Sequence, residues 1–155
     1  MNINIREIDA PQFDFCADEV VILPHNYQSD ENYEYHSTTI SFYKYARSKL
    51  GIKYFTEPEL LIEQRSGDWF GPLLLISTSA LSQNPELISI TCGVIANYVT
   101  DFFKSKDKPN IRLKIICKET KTSKLTEISY EGGLDGLDKL EASINRVIGK
   151  SSNDE

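Results

Sequence analysis

The sequence predicts an α+β domain: a mainly antiparallel sheet of N-terminal strands and a C-terminal β-hairpin, packed on a central buried helix and a C-terminal amphipathic helix. Three observations carry this. Ile111–Tyr130 alternates apolar and polar residues about a turn, the pattern of a half-buried hairpin. Leu87–Phe103 places apolar residues on two adjacent helical rows, a face too wide for a surface helix. Leu134–Ile148 carries one apolar stripe with acids and amides opposite it. The chain has 155 residues, which suits one domain over 1–150 followed by a short disordered tail at 151–155.

Taken in order, Asn2–Ile8 alternates with Ile3 and Ile5 on one face and reads as a strand. Ala10–Phe15 contains Pro11 and reads as a connection. Glu19–Leu23 is a short apolar run stopped by Pro24, a strand suited to burial on both faces. His25–His36 is a polar loop of acids and tyrosines, in which Tyr27, Tyr33 and Tyr35 are candidate partner-binding residues. Ser37–Leu50 reads as a helix capped by Ser37 or Thr38 and ended by Gly51, with Ile40, Tyr43, Ala46 and Leu50 sharing a face. The stretch 57–77 has two readings. Thr56–Glu59 fits a capping box opening a short helix Glu57–Arg65; alternatively, Leu60–Arg65 is a strand that turns at Ser66–Asp68 and returns through Leu73–Ser77. Gly71–Pro72 breaks either element.

The central helix begins with Asn84 as cap, Pro85 in the first turn and Glu86 at the positive helix end. Its rows are Leu87, Thr91, Val94, Tyr98, Phe102 and Ile88, Cys92, Ile95, Val99, Phe103. In the hairpin, Ile111, Leu113, Ile115 and Cys117 face inward while Arg112, Lys114 and Lys118 face outward. The last helix opens after Gly132–Gly133.

Composition excludes some classes. The formal net charge is −6 and the pI about 5.0, so no bulk attraction to nucleic acid or anionic membrane is expected. Cys16, Cys92 and Cys117 are odd in number, widely spaced and without a C-x-x-C, as for reduced thiols in a cytoplasmic protein. The start MNINIREID has no signal-peptide pattern. A membrane-associated alternative rests on the apolar region 69–103. Trp69–Leu81 is too short to span, however, and Leu87–Phe103 contains Asn97 and Asp101.

Charge is uneven. Lys104–Lys124 holds eight basic residues against two acidic ones, a segment charge of +6 that leaves −12 for the rest. The outward hairpin face becomes a basic stripe of Arg112, Lys114, Lys118, Lys121 and Lys124, fit for an acidic protein surface and less suited to nucleic acid, since no aromatics interleave it. The plainer account is edge-strand protection by lysines. A second polar cluster, Glu63, Arg65, Asp68 and Trp69, reads as a turn with an ion pair, or as an acid–base group. His25 and His36 lack metal-ligand spacing. Gly149–Ser152 (GKSS) follows a helix and lacks the strand and earlier glycine of a phosphate loop. No cofactor or metal is implied.

The C-terminal order is an apolar connection, a helix ending in Tyr98-Val99-Thr100-Asp101-Phe102-Phe103-Lys104, the hairpin IRLKIICKETKTSKLTEISY, and a closing helix with Leu137, Leu140 and Ile144. It resembles, over Leu73–Ile148, the layout of the effector-associated constant component domains of bacterial conflict systems. The His25–His36 loop and the second strand depart from that layout. The resemblance implies an accessory, non-catalytic domain working beside a separate effector in cellular defence, and carries over no functional residue.

The leading expectation is therefore a cytoplasmic, non-enzymatic interaction or assembly domain with a protein partner or a second copy of itself. The rival is a small hydrolase or nuclease using Glu63, Asp68 and His36, which requires those three side chains to converge.

Overall fold

Four consecutive branched apolar residues, Val20–Leu23, have no polar face to turn to solvent, and they end up inside the sheet. The computed structural model describes residues 2–8, 19–27, 32–62, 69–102, 110–119 and 124–153. Its elements are β1 (Asn2–Ile8), β2 (Val20–Leu23), β3 (Glu34–His36), α1 (Ser37–Ala46), β4 (Ile52–Tyr54), β5 (Leu60–Ile62), β6 (Trp69–Ser77), α2 (Thr78–Gln83), α3 (Leu87–Phe102), β7 (Ile111–Lys118), β8 (Leu125–Gly132) and α4 (Leu137–Asn153). Six strands form one sheet in the order β1-β8-β7-β6-β2-β4, and β3 pairs with β5 in a small parallel sheet.

The α+β class holds, but the large sheet is mixed. The pairs β1–β8, β7–β8 and β2–β6 are antiparallel; β6–β7 and β2–β4 are parallel. The reason is connectivity. Helices α2 and α3 carry the chain from β6 back to the start of β7, and α1 lies between β2 and β4. A crossover helix returns the chain to the same end of the sheet, which makes the joined strands parallel. Alternation within a strand carries no record of this.

Both rows of α3 are used: Leu87, Ile88, Thr91, Cys92, Val94, Ile95, Tyr98 and Val99 are all buried. They pack with Phe42 and Ala46 of α1, Leu137, Leu140 and Ile144 of α4, and the inward residues of β2, β6, β7 and β8. Tyr98 joins the two crossover helices, its ring edge-on to Phe42 at 5.4 Å and its hydroxyl donating to Ser41 Oγ at 2.9 Å. The central helix expected after the Asn84 cap is α3, and a separate short helix, α2, precedes it. Ser77 caps α2 by accepting from the Ala80 N–H, and Asn84 Oδ1 accepts from the Glu86 N–H before α3. Helix α1 is shorter than read, is preceded by His36 rather than capped by Ser37 or Thr38, and buries Thr39, Phe42 and Ala46.

The 57–77 alternatives resolve to strands, without the hairpin. β5 pairs with β3, while β6 lies between β2 and β7. The Thr56 side chain takes part in a hydrogen bond with Tyr35 instead of capping a helix. Gly71–Pro72 does not end β6; it sits in a register shift between Phe70 and Leu73, where a residue lacking an N–H disturbs the ladder least. No helix among the described residues is long and apolar enough to cross a membrane.

All four helices contribute to one face of the sheet. The other face carries a smaller apolar cluster, Val21, Leu23, Tyr27, Leu75, Ile116 and Leu125, to which none of these helices contributes a buried residue.

Candidate functional site

Beside that smaller cluster, the same face turns polar at the β1–β8–β7 end. Period-two geometry and register place the residues. Arg6 of β1 lies opposite Glu127 of β8, Asn4 opposite Ser129 and Asn2 opposite Glu131; Arg112 and Lys114 of β7 lie opposite Glu131 and Ser129 on the other side of β8. These residues, with Leu23, His25, Tyr27 and His36, line a cavity of about 540 Å3. Tyr35, Leu113 and Tyr130 also line it, so it reaches residues of the main core past the end of β2.

The cavity wall is held by the chain after β2. The His25 N–H donates to the Glu34 carbonyl at 2.6 Å, and Asn26 clamps the turn, accepting from the Glu34 N–H at 2.7 Å and donating to the Asn32 carbonyl at 3.0 Å. Asn32 takes the left-handed conformation, φ 58°, which asparagine tolerates better than most residues. This brings the His25 and His36 rings to 5.2 Å between centroids. Burial, then the neighbouring His25, lowers the His36 pKa.

Glu127 is only 6% exposed. Its carboxylate accepts from Arg6 Nε at 3.3 Å and Nη2 at 3.4 Å and from Ser129 Oγ at 3.2 Å. Burial, then the Glu127 charge, pushes the nearby Tyr27 hydroxyl up to about 12, with Arg6 opposing. Arg112 pairs with Glu131 at 3.5 Å, both near half exposure. Lys114 is exposed.

The basic stripe is thus shorter than the sequence implied. Lys118 is 2% exposed and belongs to the interior. Its position continues the Ile116 face, where Leu125 lies opposite it. Lys124 pairs with Glu7 at 2.8 Å; Lys121 lies outside the described residues. Edge protection does not explain the stripe, because β7 is an interior strand between β6 and β8.

The loop tyrosines are mostly structural. Tyr35 is 1% exposed; its hydroxyl donates to the Thr56 carbonyl at 2.9 Å and accepts from the Thr56 N–H at 3.1 Å. Tyr33 packs edge-on to Phe55 at 5.7 Å. Of the three loop tyrosines, Tyr27 and Tyr35 line the cavity. Of the second cluster, Glu63, Arg65 and Asp68 lie outside the described residues, and Trp69 opens β6 opposite Ile111.

Sequence reasoning missed Asn2, Asn4, Arg6, Glu127, Ser129 and Glu131. Their polar alternation is visible in β1 and β8, but only the pairing of the two strands makes them one surface. Among the described residues no group of three or more His, Cys, Asp or Glu side chains is placed to hold a metal ion. In comparisons with protein-family models, with curated proteins and with solved structures, none matches this chain.

Proposed function

We propose that this chain is a non-enzymatic interaction domain whose cavity on the open sheet face takes an acidic segment of a partner protein. One observation carries the reading: Arg112 and Lys114, both exposed, stand on an interior strand at the floor of the cavity, with His25 and His36 in its wall. Cations fixed on a central strand are held in register by hydrogen bonds on both sides. They therefore meet a carboxylate with less loss of backbone freedom than cations on a loop. The acidic remainder of the chain repels the same segment elsewhere, which favours this face over others. If the resemblance to accessory domains of bacterial conflict systems is followed, the segment belongs to the effector, and the setting is cytoplasmic.

Fluorescence anisotropy with a labelled glutamate-rich peptide at low salt tests this. Binding should weaken at least about tenfold in Lys114→Glu and as salt is raised. Equal binding by Lys114→Glu and by an Arg112→Glu/Lys114→Glu double variant would sink the proposal, as would no binding by the unaltered chain.

A further inference from the structure

We infer that β1 is a docking edge for a second copy of this chain, paired antiparallel about Asn4. β1 is one edge of the large sheet, and among the described residues no strand lies outside it. It is seven residues long, pairs with β8 without a register break, and contains no Pro, Gly or Lys. The opposite edge, β4, is three residues. Natural edges are guarded by short length, bulges, proline or outward charge; β4 has the first of these.

The two charges on β1 are turned to its own neighbour. Arg6 is held by Glu127, and Glu7 pairs with Lys124 beside β8. Ile5 is left 45% exposed, one of two large apolar side chains so exposed among the described residues.

The register follows from geometry. Two copies extending one antiparallel sheet are related by a two-fold axis perpendicular to it, which keeps each face on its own side. Opposed residues must therefore share a face and lie an even number of positions apart. Pairing about Arg6 sets two guanidinium groups against each other. Pairing about Ile5 sets Ile3 against Glu7. Pairing about Asn4 sets Ile3 against Ile5 twice, Asn2 against Arg6 twice, and Asn4 against itself, so apolar meets apolar and polar meets polar. In this register the open faces of the two copies run together, with the cavity residues Asn2, Asn4 and Arg6 flanking the axis. The inference stands independently of what the cavity binds.

Sedimentation equilibrium of the full chain should show a species of twice 17.6 kDa. Ile5→Lys should weaken the dimer at least about tenfold while its circular dichroism stays unchanged. In a Cys16→Ser background, Asn4→Cys should form a disulfide-linked dimer under mild oxidation far faster than Ile5→Cys, because residues on the axis face each other at about 4.5–5.5 Å between Cβ atoms. A monomer at every concentration overturns the inference, including one that accepts a strand only from another protein. So does a dimer indifferent to Ile5→Lys, or faster linking through Ile5→Cys. Should Ile5→Lys misfold, the cysteine pair decides alone.

Discussion

Arg6 covers the carboxylate of Glu127 from the neighbouring strand, donating through both Nε and Nη2, and this closes the polar end of an otherwise apolar face. Glu127 is nearly buried, whereas the Arg6 side chain is 67% exposed. The pair is therefore asymmetric: the carboxylate needs its partner more than the guanidinium does. Arg6→Ala takes both guanidinium donors from Glu127 and should cost about 1–3 kcal/mol in urea denaturation, the price of an under-satisfied buried charge. Arg6→Ala with Glu127→Gln should recover part of that loss, and a double-mutant cycle measures the coupling.

The two lysines of β7 should separate sharply. Lys114→Glu, at an exposed position on the face the two lysines share, should change stability by no more than about 0.5 kcal/mol. Lys118→Glu puts a carboxylate in place of a buried ammonium beside Leu125 and should lower the melting temperature clearly. Leu113→Ala, on the helix-covered face, should cost about 2–4 kcal/mol by leaving a cavity. Equal melting temperatures for Lys114→Glu and Lys118→Glu would mean that Lys118 is not buried.

His36 should make stability fall in mild acid. Burial and then His25 hold its folded pKa below the ordinary 6.5, so the unfolded chain takes up the proton first as pH drops. The contribution is present above 6.5 and is lost as pH falls from there through the folded value. Urea midpoints at about pH 7.5 and about pH 5.5 should differ less in His36→Gln than in the unaltered chain.

The buried thiols should be silent. Cys92 and Cys117 are both free, and burial pushes each thiol up to about 12. A Cys16→Ser variant should therefore show no fast-reacting thiol toward a disulfide reagent when native, and two after denaturation. Rapid native labelling would place one of them at the surface.

Local pattern in the sequence carried a good deal of this molecule. The burial of Val20–Leu23 on both faces, the wide apolar face of α3, the inward set Ile111, Leu113, Ile115 and Cys117, and the stripe of α4 each follow from the repeat of one element, 2 or 3.6 residues. Such repeats report which side of an element is apolar. They do not report what lies across from it.

Pairing settled the rest. Parallel β6–β7 and β2–β4 arise because helices carry the chain back across the sheet, and that places β7 inside rather than at an edge. Lys118 reads as a surface cation by alternation, yet the register sets it opposite Leu125 and it is buried there. Tyr35 reads as a loop residue until β3 carries it into the core, where Thr56 satisfies its hydroxyl. The cavity is the fullest case. Arg6, Arg112 and Glu127 lie more than one hundred positions apart at the extremes, and only strand pairing brings them to one face. Periodicity along the chain is a local property that the sequence determines by itself; adjacency across strands is a long-range one, decided when the whole sheet closes its hydrogen bonds and buries its two apolar faces together.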